Sequence, residues 1–252
     1  MMDAKSDDTL RSEHTEEAIA QRLAGATQHS YLGDFVLGAV DGAVTTFAVV
    51  SGVAGAGLPS GVAVVLGFAN VLADGFSMAV GNYLSTRSEH EVLELARQTE
   101  RDHIDRLPEG EREEIRQIFR GKGFDGELLE TITDTITEER ERWVDTMVTE
   151  ELGLQLVPPH PVKAASVTFV AFMLAGLVPI LPLFLTSYLT ATQTFMTSAV
   201  ATLVTFALIG AAKARATRQS FLRPVLETLA IGGSAAFLAY FAGALLKSLT
   251  GV

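Results

Sequence analysis

Cysteine is absent from all 252 residues. That excludes disulfides, zinc–thiolate sites and iron–sulfur clusters, and it leaves the redox compartment undetermined. Basic residues are scarce, 19 Lys and Arg against 30 Asp and Glu, for a net charge of −11. Such a balance speaks against nucleic acid and anionic lipid surfaces as partners and makes cations the natural ones. The first 30 residues contain no apolar core of the kind a signal peptide needs. A cleavable leader is therefore not expected, and insertion must use the first apolar stretch itself. There is also no phosphate-binding loop and no Gly-x-Ser-x-Gly nucleophile elbow. ATP is thus not expected to drive any transport, and a proton gradient is the simplest alternative.

What the chain does have is apolar length. Five stretches reach or approach the roughly 20 residues that span a bilayer core of about 30 Å. They are Phe35–Leu58, Val62–Leu84, Ala164–Leu189, Phe195–Ala212 and Val225–Leu246. The turn at 57–61 joins the first two into a hairpin. That turn and the loop at 187–194 carry no Lys or Arg, whereas Lys213, Arg215, Arg218 and Arg223 follow the fourth stretch. The positive-inside rule then predicts a cytoplasmic N-terminus and an external C-terminus. The expected fold is an all-α membrane protein with five transmembrane helices and a cytoplasmic helical domain between helices 2 and 3. Residues 1–30 form a cytoplasmic tail, with an interfacial helix around Glu16–Ala26. Residues 31–85 hold helices 1 and 2, residues 86–162 the cytoplasmic domain, and residues 163–252 helices 3 to 5.

The cytoplasmic segment is where the charge lies. Between Thr86 and Val162 there are 20 Asp and Glu against 10 Lys and Arg, a net of −10. The second span is expected to continue as a helix to Leu107, stopped by Pro108. A short helix at Glu109–Phe119 and one longer helix from Gly126 to Leu154 follow.

Two carboxylates interrupt the first two spans, Asp41 and Asp74. An acid at bilayer depth costs about 2.5–3.5 kcal/mol on insertion scales, so such residues mark cation or proton pathways by default. Asn70, Asp74 and Met78 recur at i, i+4 and i+8, one stripe of amide, carboxylate and thioether donors suited to a transition metal. A packing role for Met78 stays open beside that reading. In the acidic segment, Glu100 and His103 share one helix face, as do Glu111 and Glu114. Met147, Glu150 and Glu151 could close a site from the opposite side. A solvated surface is the plain alternative for each pair.

The run DFVLGAVDGAVTTFA from Asp34 to Ala48 resembles the first-helix signature of the vacuolar iron transporter family. ADGFSMAVGNYLS from Ala73 to Ser85 resembles its second-helix signature. GLVPILP at 176–182 is similar to its third-helix proline motif, and Glu151-Leu-Gly-Leu to its motif before the third helix. The resemblance covers roughly residues 30–250. It implies a homodimer that exports Fe²⁺, and often Mn²⁺ or Co²⁺, from the cytosol in exchange for protons, with Zn²⁺ a further candidate. By the same motifs, Asp41 and Met78 would line the path at the dimer interface. Glu100, Glu111, Glu114, Met147 and Glu151 would bind metal in the cytoplasmic domain. Two positions depart from the family pattern. His103 stands where relatives often have Glu, and Asn70 where many carry a membrane Glu, with Asp74 one turn later on the same face. A multi-pass protein of a prokaryotic cell membrane is expected, a vacuolar membrane being the other address. The competing function is a membrane-anchored di-iron oxidase built on Glu100, His103, Glu111 and Glu114, although such bundles use two Glu-x-x-His pairs and this chain has one.

Overall fold

A computed structural model of the chain describes residues 7–25, 29–185, 188–217 and 220–250. They form ten α-helices, with no strand among the described residues. Two short helices, α1 (Asp7–Ser12) and α2 (Glu16–Gly25), come first. Both lie within the expected tail of residues 1–30, of which residues 1–6 and the expected helix end at Ala26 lie outside the described residues. Then come α3 (Leu32–Ala56), α4 (Ser60–Arg106), α5 (Pro108–Gly121), α6 (Gly126–Thr137) and α7 (Arg140–Glu150). The chain finishes with α8 (Pro161–Leu177), a 3₁₀ turn (Leu181–Leu185), α9 (Ala191–Thr217) and α10 (Leu222–Thr250). It divides into two compact units, Met1–Tyr83 with Pro161–Val252, and Leu84–His160.

Five helical stretches are long and apolar enough to cross a membrane: α3, α4, α8 with its 3₁₀ extension, α9 and α10. In the first unit α3 is the central helix, packed against α8, α9 and α10. Small residues permit this approach. A Cβ on Gly42 would collide with the backbone of Phe172, and one on Gly38 with the carbonyl of Thr168. Gly42 thus serves close α3–α8 packing, the usual use of small residues between membrane helices. Ala39, Ala43, Ala171, Ala175, Phe206 and Ile209 fill the core beside it. Large apolar side chains such as Leu72, Phe76, Leu174, Leu208 and Phe237 point outward, as helices solvated by hydrocarbon require.

The third apolar stretch is not one helix. Regular α-helix stops at Leu177, and the 3₁₀ turn completes the crossing. Pro179 and Pro182 cannot donate to an α-helical ladder. The carbonyl of Pro179 instead accepts a 2.6 Å hydrogen bond from the Ser198 hydroxyl of α9.

The second unit packs around Leu93, Ile104, Ile115, Trp143, Val144, Met147 and Val148. The sequence pattern predicts one helix from Gly126 to Leu154; the structure breaks it into α6 and α7. Glu139 is extended (φ −113°, ψ 118°). The threonines of α6 favour the break. Thr133, Thr135 and Thr137 each turn their hydroxyl back to a carbonyl four residues earlier, a bond that competes with helix propagation. The break frees α7 to bury Trp143, Val144, Met147 and Val148 in the core.

Candidate metal centre

The site in the second unit follows from one turn. Leu107 leaves the helical region (φ −137°, ψ 56°), and Pro108 opens α5 at a position where a missing N–H costs nothing. This turn brings the Glu100/His103 pair of α4 onto the Glu111/Glu114 pair of α5. One ligand atom from each of Glu100, His103 and Glu111 lies within 4.8 Å of the other two. His103 Nδ1 is 3.3 Å from Glu111 Oε1, and the carboxyls of Glu100 and Glu111 are close enough for their charges to interact. Glu114 and Glu151 are close enough to add their charge to the group.

Charge sorting sets this cluster apart. Most arginines of the unit, and Lys122, are paired with other acids. Arg97 pairs with Asp145, Arg101 with Glu141, Arg112 with Asp134, Arg116 with Glu130 and Arg140 with Asp105. Among the described residues, none of Glu100, Glu111, Glu114 and Glu151 has a Lys or Arg partner. Yet Glu100 and Glu111 are only 3% and 5% exposed, and Oε2 of each has no hydrogen-bond partner. Buried unpaired charge costs several kcal/mol per ion, so such groups take up a proton or a cation. Burial, then the charges of Glu114 and Glu100, pushes the Glu111 carboxyl up to about 7. Burial also raises Glu100, against the pull of His103, and raises Glu151.

Two further sequence candidates have neighbours of other kinds. Glu150 forms an ion pair with Lys122. Met147, one turn before Glu151, is fully buried in the apolar core of the unit.

In the membrane-crossing unit, Asn70, Asp74 and Met78 lie at the border between the buried face of α4 (Gly67, Val71, Gly75) and its outward face (Phe68, Leu72, Phe76). All three are partly buried. Asp41 and Asp74 interact coulombically. Asn70 donates to the Thr45 hydroxyl at 3.2 Å, and that hydroxyl donates to the Asp41 carbonyl at 2.8 Å. Asn70 is thus tied to the α3 turn that carries Asp41. A cavity of about 570 Å³ near the α3–α4 turn is lined by apolar residues such as Phe47, Phe195 and Tyr240 and by no acid. It is no part of this constellation.

One polar cluster escaped the reading of the sequence. Asn82 on α4 donates to Asp34 Oδ1 on α3 and to the Thr168 hydroxyl on α8, both at 2.7 Å. Asp34 and Asn82 sit inside the two signature runs. The available signal was their polarity at the edge of apolar stretches.

Five crossing helices, acids within the first two, and a separate carboxylate–imidazole cluster define a multi-pass membrane protein equipped to handle cations. The sequence pattern of the VIT family matches residues 32–244, and the chain belongs to that family. It is 30% identical over 238 residues to "Vacuolar iron transporter 1" of Tulipa gesneriana, covering 93% of this chain and 92% of that one. It is equally 30% identical over 235 residues to "Vacuolar iron transporter 1" of Arabidopsis thaliana (92% and 90%). The "Vacuolar iron transporter" of Toxoplasma gondii is 30% identical over 233 residues (89% and 77%).

Proposed function

We propose that this chain moves Fe²⁺ out of the cytosol in exchange for protons, as a homodimer. Mn²⁺, Co²⁺ and Zn²⁺ are further substrates to compare. The names of its relatives support iron as cargo. The observation that carries the reading is the pair of buried carboxylates, Glu100 and Glu111, with no cationic partner beside an imidazole. That cluster collects the metal on the cytoplasmic side, with Glu114 and Glu151 as outer acids. Asp41, Asp74, Asn70 and Met78 supply the path within the membrane. Proton and metal compete for the same carboxylate oxygens, so arrival of one favours departure of the other. This competition is the coupling.

The relatives are eukaryotic proteins named for the vacuole and give no support to a prokaryotic cell membrane. Nor do they support the oxidase alternative, which also lacks its second Glu-x-x-His pair. The collecting role is tested by the double variant Glu111→Ala, Glu114→Ala. It should weaken Fe²⁺ binding, measured anaerobically by equilibrium dialysis, while slow transport persists. Unchanged binding would remove the cluster from the account.

A further inference from the structure

The geometry points to His103 as the residue that sets which divalent cation the cluster prefers: its imidazole nitrogen, set among carboxylate oxygens, biases the site toward Co²⁺, Fe²⁺ and Zn²⁺ and against Mn²⁺, Mg²⁺ and Ca²⁺. The inference rests on the cluster being the metal-collecting site.

Three observations carry it. First, His103 offers a ligand atom within 4.8 Å of those from Glu100 and Glu111. The acids coupled to this group bring oxygen only, so among these three residues His103 supplies the one nitrogen donor. Second, Glu100 Oε2 and Glu111 Oε2 are buried acceptors with no partner in the protein. They belong to residues more than nine-tenths buried, and they lie on the side chains that His103 faces. Third, the His103 side chain is 55% exposed, and its one polar contact among the described residues is with Glu111. It does not belong to the apolar core of the unit. Neither packing nor a backbone hydrogen bond accounts for an imidazole here.

Donor chemistry supplies the consequence. Carboxylate and water sites suit Mg²⁺, Ca²⁺ and Mn²⁺, whereas imidazole suits Fe²⁺, Zn²⁺ and the later transition metals. Exchanging nitrogen for a carboxylate oxygen at one position adds charge that attracts every divalent cation, and it removes the donor that favours the later transition metals, so the ranking of metals changes. Loss of an outer-sphere partner alone costs about tenfold or more in metal affinity. Loss of a direct nitrogen donor should cost at least as much for Co²⁺.

The test uses the full chain in detergent, titrated separately with Co²⁺ and Mn²⁺, as wild type, His103→Glu and His103→Gln. The cluster's share of binding is the part lost in Glu111→Gln. Circular dichroism and gel filtration establish that each variant is folded. His103→Glu should lower the Co²⁺/Mn²⁺ affinity ratio by at least about tenfold, with Mn²⁺ binding retained or improved. His103→Gln should weaken Co²⁺ without improving Mn²⁺. Nuclear magnetic resonance of the Co²⁺ form should show one far-shifted exchangeable imidazole N–H signal, absent from both variants. Equal ratios in all three proteins, with no such signal, would overturn the assignment while leaving the cluster a metal site. Wild type that binds neither ion at a Glu111-dependent site would overturn the collecting role and this inference together.

Discussion

Glu111 is the residue in which burial, charge and function meet. Its carboxyl sits near 7 because it is buried beside Glu114 and Glu100 without a cation. A metal collected there, as proposed, must therefore displace a proton at or below neutral pH. Apparent metal affinity should rise with pH by up to about tenfold per unit below pH 7, then level off. Titrations between pH 5.5 and 8 check this, and Glu111→Gln should flatten the curve. Stability of the metal-free protein should move the other way. The folded chain holds a proton on Glu111 that the unfolded chain, at 4.5, has already released. Between about pH 4.5 and 7 the folded state binds more protons, so stability falls as pH rises through that window. Thermal melts in chelator should give a lower midpoint at pH 7.5 than at pH 5, with a smaller difference in Glu111→Gln.

At the scale of elements, the candidate site depends on how α5 folds back on α4, and Ile115 holds that arrangement. It is fully buried, one residue past Glu114. Ile115→Ala should cost about 2–5 kcal/mol and weaken metal binding without touching a ligand. Hydrogen exchange along α5 and a parallel metal titration would show both effects. In the membrane-crossing unit, Gly42→Leu should fail differently from Asp41→Asn. The first collides with the Phe172 backbone of α8 and should lower the yield of monodisperse protein. The second, altering one polar atom on a partly buried side chain, should leave yield and melting nearly unchanged.

This is also the scale at which the sequence stops being legible. The Glu100/His103 and Glu111/Glu114 pairs could be read from i, i+3 spacing, and the spans from apolar length, because both are local properties. That the turn at Leu107–Pro108 would stack Glu100 and His103 on Glu111 is a matter of tertiary packing. So are the capture of Glu150 by Lys122, the burial of Met147, and the Asp34–Asn82–Thr168 cluster. The division between α6 and α7 was hidden for another reason. Apolar periodicity continues across it, and only the threonine hydroxyls and the extended Glu139 mark it.

For the whole molecule, charge distribution and apolar length together predict which side each segment faces. Absence of cysteine makes the topology directly measurable, since any thiol introduced is the only one. Asp102→Cys should be protected from a membrane-impermeant maleimide in intact cells, and Ser60→Cys, at the α3–α4 turn, should be labelled. The reverse pattern would invert the direction of transport proposed here.

The central claim is metal movement coupled to protons through the acids of the first two crossing helices. Anaerobic Fe²⁺ flux in proteoliposomes, with and without an imposed proton gradient, tests it most directly in wild type and Asp41→Asn. Flux should grow with the gradient and be abolished by Asp41→Asn in protein that remains folded. Flux indifferent to the gradient, or undiminished in that variant, would contradict it.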